Sequence, residues 1–339
     1  MEDSKNHFSE ETTKGFAKST KDQKLNVYVW DMDETIILLK SLLNGTYAEA
    51  FCGSKDIKRG EELGKIWEKQ ILDLCDHHFF YEQIENYNQP FIDALSEYDD
   101  GRDLSDYDFD QDGFDPPYDD GNKRKLAFRQ RAIANKYKEG LQNIFDEQKM
   151  KFWEELYEMT DVYTDRWFSS AKVFVASLYT CKWSLLFSTI QARAFLEECA
   201  FSDEPPLVSA DRARNSTSRS SQHVNILVTS GSLIPSLVKC LLFRLDHLIT
   251  PGNVYSSWEV GKLQCFKWIK ERFNKTNVRF CVIGDGWEEC EAAQSLKWPF
   301  VKIELQPGSP HRFPGLSLKT LGFYFSVIYG NSDSSSDEE

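Results

Sequence analysis

The chain has 339 residues, of which 41% are hydrophobic, the content of an ordinary globular protein, and 40 basic residues against 54 acidic ones give it a formal charge of −14. Glu97 to Asp120 holds eleven acids and one arginine and Asn331 to Glu339 holds four acids and no base, so these two segments carry the whole imbalance. The electrically balanced remainder offers no field for DNA or RNA, and no apolar run approaches the ~20 residues of a membrane span, so neither a nucleic acid nor a bilayer is an expected partner.

Residues 1 to 23 are polar and aperiodic and read as a disordered tail. The polar N-terminus shows no signal-peptide core, and eight scattered cysteines form no C-x-x-C pair, so they read as reduced thiols of an intracellular protein, in cytoplasm or nucleus. Val27-Tyr28-Val29-Trp30 is an unbroken β-branched and aromatic run, which suits a strand buried on both faces of a parallel sheet. Asp31 and Asp33 arrive where that strand ends, with Thr35 behind them. Carboxyl ends of strands frame the ligand crevice of an open α/β sheet, so the two carboxylates are placed for chemistry. By themselves they fit a polar turn equally well, with Thr35 capping the next helix.

Thr35 to Leu43 reads as a short turn or helix leading outward. Helical spacing of Leu63, Ile66, Trp67, Ile71, Leu72 and Leu74 predicts a helix over Lys58 to Tyr81. The acidic stretch that follows contains Asp108-x-Asp110-x-Asp112-Gly113, which imitates the start of a calcium loop, but Asp119 stands where a bidentate glutamate is needed and Pro116-Pro117 interrupts the segment. A solvated acidic loop is the preferred reading. Lys123 to Ala200 is helical in pattern, with apolar stripes of Leu126, Ile133, Tyr137, Leu141, Ile144 and Phe145, then Phe152, Trp153, Leu156 and Met159, then Trp167, Ala171, Phe174 and Leu178; at this spacing they predict core packing between helices. Asp203 to Gln222 reads as a linker.

Strand and helix alternation then resumes: strands at Val224 to Thr229, Val278 to Ile283 and Phe300 to Ile303, and helices at Leu233 to Leu245, Lys262 to Phe273 and around Leu318, Leu321, Phe325 and Ile328. The second strand ends in Thr229-Ser230-Gly231, and the third in Gly284-Asp285-Gly286 with Glu288 and Glu289 behind. Carboxylates converging from separate strand ends suit a hard, oxygen-seeking cation such as magnesium. Lys262, which opens a helix between those strands, is the candidate to offset phosphate charge.

In this order the four motifs resemble those of the haloacid dehalogenase superfamily of phosphotransferases. More narrowly, Val29-Trp30-Asp31-Met32-Asp33-Glu34-Thr35, Lys125-Leu126-Ala127-Phe128-Arg129, Leu233-Ile234-Pro235 and Ile283-Gly284-Asp285-Gly286-Trp287-Glu288-Glu289 resemble the Eyes absent protein tyrosine phosphatases. The resemblance covers residues 24 to 330 and is closest to the shorter, plant-type members with a catalytic domain only. It implies an α/β fold: a Rossmannoid, haloacid dehalogenase-like parallel sheet formed by residues 24–44 and 201–330, with a large all-helical cap at 45–200, between a disordered N-terminal tail (1–23) and an acidic one (331–339).

The same resemblance implies a magnesium-dependent tyrosine phosphatase acting through an aspartyl-phosphate. Asp31 would be the nucleophile, Asp33 the general acid and base and a metal ligand through its backbone carbonyl, Asp285 a direct metal ligand alongside Asp31, and Glu289 the holder of a metal-bound water. Ser230, or Thr229 one residue earlier, would bind the phosphoryl group, and Lys262 would balance charge. Ser230 departs from the threonine usual in the animal members, and Ser257-Trp258-Glu259-Val260 before Lys262 is unlike theirs; both bear on substrate preference. A cysteine-dependent phosphatase is excluded, since no cysteine has an arginine six positions on. The alternative is a partner-binding transcriptional cofactor or scaffold with this fold, engaging a transcription factor. Substrate choice is expected to lie in the helical insert, because strand-end residues recognise only phosphate and metal.

Overall fold

The computed structural model describes residues 24–180, 222–274 and 277–330. The two expected tails, the C-terminal part of the helical region and all but the last residue of the linker lie outside the described residues.

Among the described residues, five parallel strands form one sheet: β1 (Leu25–Trp30), β2 (Gln222–Thr229), β3 (Val254–Ser256), β4 (Val278–Gly284) and β5 (Phe300–Lys302), in the order β3-β2-β1-β4-β5. Strand β1 is central and therefore covered on both faces, which is why its run is apolar without alternation. Val27 and Val29 pack with Ile226, Val228 and Val282 on one face; Tyr28 and Trp30 pack with Leu227 and Ile283 on the other. Trp30 is fully buried, and its indole N–H donates to Asn225 Oδ1 at 3.0 Å, so the polar atom of a large core residue is satisfied. Val254–Ser256 is an edge strand that the sequence pattern does not announce, because three residues are too few to show a period.

Between β1 and β2 the chain forms α1 (Lys40–Leu43), α2 (Thr46–Glu49), α3 (Ile57–His78), α4 (Tyr81–Ile84), α5 (Asp120–Glu139), α6 (Glu147–Tyr163) and α7 (Trp167–Thr180). Asp56 caps α3 by accepting from Arg59 N at 3.3 Å. These helices share one hydrophobic core with the Tyr28/Trp30 face of the sheet and with α8 (Leu233–Leu242). Donors that cross that seam include Tyr137 Oη to Ile249 O at 2.7 Å, Trp153 Nε1 to Leu242 O at 2.8 Å and Trp167 Nε1 to Thr35 O at 3.2 Å. The turn after β1 runs inward, contrary to the outward course expected of it. Ile36, Ile37, Leu38 and Leu42 are buried, and α3 closes on α1 at Gly64, where an added Cβ would lie 2.9 Å from Leu43 N.

Two further expectations change for identifiable reasons. The stripe on α6 is rotated: Phe152 and Met159 are exposed, and Trp153, Leu156, Tyr157 and Thr160 face the core. Thr160 fits there because its hydroxyl accepts from Trp67 Nε1 at 2.9 Å and donates to Leu156 O at 2.7 Å. The acidic segment, expected to be wholly solvated, is anchored by Asp112, whose carboxylate meets the buried Arg129 guanidinium at 2.7 and 3.1 Å, while Arg129 also donates to Phe109 O at 2.7 Å and Gln83 Oε1 at 2.9 Å.

The other face of the sheet is covered by α9 (Lys262–Arg272) and α10 (Trp287–Ser295), through Cys265, Phe266, Ile269, Ala292 and Ala293. Helix α11 (Leu318–Tyr329) buries Leu321 and Phe325 but leaves Ile328 half-exposed. Among the described residues, no helix is long and apolar enough to cross a membrane.

Candidate active site

Strand register brings the polar strand ends together. Trp30 pairs with Leu227 on β2 and with Ile283 on β4, so the residues that follow all emerge at one edge, and Asp31 N extends the ladder to Ile283 O at 2.9 Å. The turn behind Asp31 is tight: the amides of Thr35, Ile36 and Ile37 all converge on Met32 O. Glu34 adopts a left-handed φ of 62°, which a non-glycine residue tolerates only where surroundings hold it. Here its own carboxylate does so, accepting from Leu39 N and Ser41 N at 3.1 Å each. That turn delivers the Thr35 hydroxyl to Asp31 Oδ2 at 3.0 Å, with Asp285 Oδ1 3.4 Å away. Thr35 is thus an orienting partner of Asp31 rather than a helix cap.

Gly261, at φ 77°, opens α9 so that Lys262 enters the fold at once. The lysine is buried; its Nζ donates to Asp31 Oδ1 at 2.6 Å and also to Glu289 Oε1. Both glycines of Gly284-Asp285-Gly286 are required by this approach. A Cβ at Gly284 would lie 2.9 Å from Glu289 Cγ and 3.2 Å from Asp31 Cβ, and one at Gly286 would lie 2.6 Å from Glu289 Oε2.

Asp31, Asp285 and Glu289 each offer an oxygen within 4.8 Å of the others. If all three are ionised, the Lys262 ammonium leaves the cluster at a net −2. Burial pushes the Asp31 carboxyl up, to about 8, against the pull of Lys262 and with Glu289 adding to the rise. Burial and Glu289 likewise raise Asp285. Burial alone would lower Lys262, but Asp31 and Glu289 outweigh it and hold the ammonium above the usual lysine range. The lysine therefore stays charged, and the carboxylates share a surplus of negative charge that either a proton or a cation must relieve. The all-oxygen donor set and the buried surplus charge fit a small divalent cation such as magnesium.

Asp33 lies apart from that trio. Its carboxylate is held at both oxygens by Lys239 Nζ, at 2.7 and 2.9 Å, from α8. Sequence reasoning passed over Lys239, although it is the single charged residue in the Leu233–Leu242 run, a signal that could have marked it. Thr229 and Ser230 separate clearly. Thr229 is buried, its hydroxyl accepts from Gly231 N at 3.1 Å, and its carbonyl accepts from Ser257 N and Oγ at 2.8 and 3.0 Å; Ser230 is exposed. The helical insert reaches the same turn through Asn88, which accepts from Leu233 N at 2.8 Å and donates to Ser256 Oγ at 3.1 Å, while Ser256 Oγ donates to Gly231 O at 2.8 Å.

A parallel sheet with acidic residues at adjacent strand ends, a lysine at the head of a following helix and a helical insert behind the first strand defines a haloacid dehalogenase-like α/β protein. No protein-family model matches the chain. Comparison with curated proteins is specific: the chain is 59% identical to "Protein phosphatase EYA" of Arabidopsis thaliana, over 94% of its own length and 95% of that protein. It is 32% identical to human "Protein phosphatase EYA2" and to "Protein phosphatase eya" of Drosophila melanogaster, in each case over 82% of its own length but only 47% and 33% of theirs. The chain belongs to the Eyes absent family. It spans half or less of those two animal relatives.

Proposed function

We propose that the chain is a magnesium-dependent protein tyrosine phosphatase with a catalytic core at residues 24–44 and 201–330 and a helical insert at 45–200. The observation that carries this reading is the buried cluster in which Lys262 bridges Asp31 and Glu289 beside Asp285 at the strand ends. Phosphatase activity is what the names of the relatives state, and phosphotyrosine as the substrate follows from the family resemblance.

Magnesium, when held by Asp31, Asp285 and the Asp33 carbonyl, with Glu289 acting through water, would supply charge neutralisation for the phosphoryl oxygens. In the first half-reaction an Asp31 carboxylate oxygen attacks phosphorus and the bond to the phenol oxygen breaks, as Asp33 gives that oxygen a proton. In the second, Asp33 takes a proton from water, the water oxygen attacks phosphorus, and the Asp31–phosphorus bond breaks to release phosphate. Thr35 keeps the nucleophile oriented, and Lys262 keeps its charge and that of phosphate from adding unopposed. Side chains alternate along β2, so Thr229 points to the face opposite Val228, and Val228 shares the face of Val29 and hence of Asp31. Ser230, exposed at the mouth, is therefore the better phosphoryl donor, and Thr229 shapes its turn. The test is turnover of an aryl phosphate by the intact chain. Activity should require magnesium, vanish in EDTA and fall by at least ~10³-fold in Asp31→Asn, with the circular dichroism spectrum unchanged. Activity that survives either change would overturn the reading.

A further inference from the structure

Most described tryptophans are buried or partly buried, but Trp258 is 68% exposed and Trp287 72% exposed. Both stand beside the catalytic cluster. Trp258 lies four residues before Lys262, and the intervening Glu259, Val260 and Gly261 are all exposed although Lys262 itself is buried. Trp287 follows Asp285 by two residues and heads α10, with Glu288 next to it, also exposed. Because Lys262 is bonded to Glu289 in the first turn of α10, the leading ends of α9 and α10 meet at the cluster, with one Trp-Glu pair just ahead of α9 and the other at the head of α10. Exposed Val260 and Leu263 extend the apolar part of that rim. Most of each indole is open to solvent rather than packed in the core, and the mechanism makes no use of it.

We propose that the Trp258-Glu259 and Trp287-Glu288 pairs are a recognition surface for a lysine or arginine flanking the phosphorylated residue of a protein substrate. This rests on the phosphatase reading above and adds the substrate's charge pattern to it. An indole face next to a carboxylate attracts a cation twice over, by its quadrupole and by direct charge, and tryptophan is the best side chain for the first of these. The long methylene stems of lysine and arginine pack on apolar surface while their charged heads stay solvated, which suits Val260 and Leu263. An extended peptide advances ~3.3 Å per residue, so positions one to three residues from the phosphorylated one lie over the rim when phosphorus is at Asp31. An acidic residue in those positions would meet two glutamates and the negative cluster behind them.

The experiment uses matched phosphotyrosine peptides with Lys or Glu two residues to either side, assayed on the intact chain. The Lys-flanked peptide should have a kcat/KM about tenfold higher, the sum of two exposed charge and cation–π contacts, carried by KM rather than kcat and shrinking with added salt. Combining Glu259→Lys with Glu288→Lys should abolish or invert the preference, and Trp258→Ala with Trp287→Ala should shrink it. Equal rates for the two peptides, or a preference that survives the charge exchange, would overturn the proposal while leaving the phosphatase reading intact. If neither peptide nor any aryl phosphate is hydrolysed, that reading fails instead. The rim is then judged by equilibrium binding of the same peptides: a Lys preference lost on charge exchange supports it, and equal affinities overturn it.

Discussion

Replacing Lys262 by methionine keeps most of the side chain's volume and removes its charge, and it should move two observables in opposite directions. The ammonium is 2.6 Å from Asp31 Oδ1, bonded to Glu289 and almost wholly buried, so it acts in a medium that screens poorly. Turnover of an aryl phosphate should fall ~10²–10³-fold, the usual cost of losing one preorganised charge donor. Affinity for magnesium should rise. The three carboxylates lie within 4.8 Å of one another, and Lys262 touches two of them. A divalent ion among them is thus within ~8 Å of the ammonium, and at that range even the dielectric of water leaves about 1 kcal/mol of repulsion, or about fivefold in affinity, as a lower bound. Without metal, the unpaired carboxylates should destabilise the fold by ~3–5 kcal/mol, so metal should raise the melting temperature more in the variant than in the wild type. Titration calorimetry with magnesium and manganese, alongside steady-state turnover, makes the comparison. A variant that loses activity and also binds metal more weakly would mean that Lys262 supports the architecture of the site, and the charge-balance argument would be refuted.

Lys239→Met frees Asp33, so turnover of phenyl phosphate should drop by ~10–100-fold, part of the general-acid contribution, while dinitrophenyl phosphate, whose leaving group needs no proton, should lose much less; an equal loss on both would remove the positioning role. Arg129→Ala strands the Asp112 carboxylate and should cost ~3–5 kcal/mol in urea denaturation, against within about 1 kcal/mol if the acidic segment is not anchored there. Burial would raise Asp112, but the hydrogen bonds and charge of Arg129 outweigh it and hold the carboxyl below its ordinary range. A depressed folded value stabilises above the unfolded pKa of about 4 and is lost as pH falls through the folded one, so wild type and Asp112→Asn should differ in melting temperature at neutral pH and converge in acid. No convergence would show that the pair does not govern the acid response.

What could be read from the chain follows the strength of the local signal. The central strand, its two aspartates, the Gly-Asp-Gly turn and Lys262 each sit in short segments whose chemistry is set by neighbours in sequence, and the strand register then brings Asp31, Asp285, Glu289 and Lys262 together. Features that depend on distant partners stayed hidden. Lys239 acquires its meaning from Asp33, 206 positions away. Thr160 looks polar until the Trp67 indole needs an acceptor, and its burial rotates the whole α6 stripe. Asp112 looks like one more solvated acid until Arg129 is folded beneath it. Asn88 braces the β2 turn from inside the insert, a contact that no periodicity could announce.

The covalent role of Asp31 is the claim on which the rest depends, and trapping the phosphorylated enzyme tests it directly. The intact chain is mixed with an aryl phosphate and magnesium, quenched in acid during steady turnover, reduced with borohydride and digested, so that an acyl-phosphate is converted to homoserine at the labelled position. Homoserine is expected at residue 31 alone, dependent on both substrate and magnesium. Label at another residue, or sustained turnover with no label at Asp31, would contradict it.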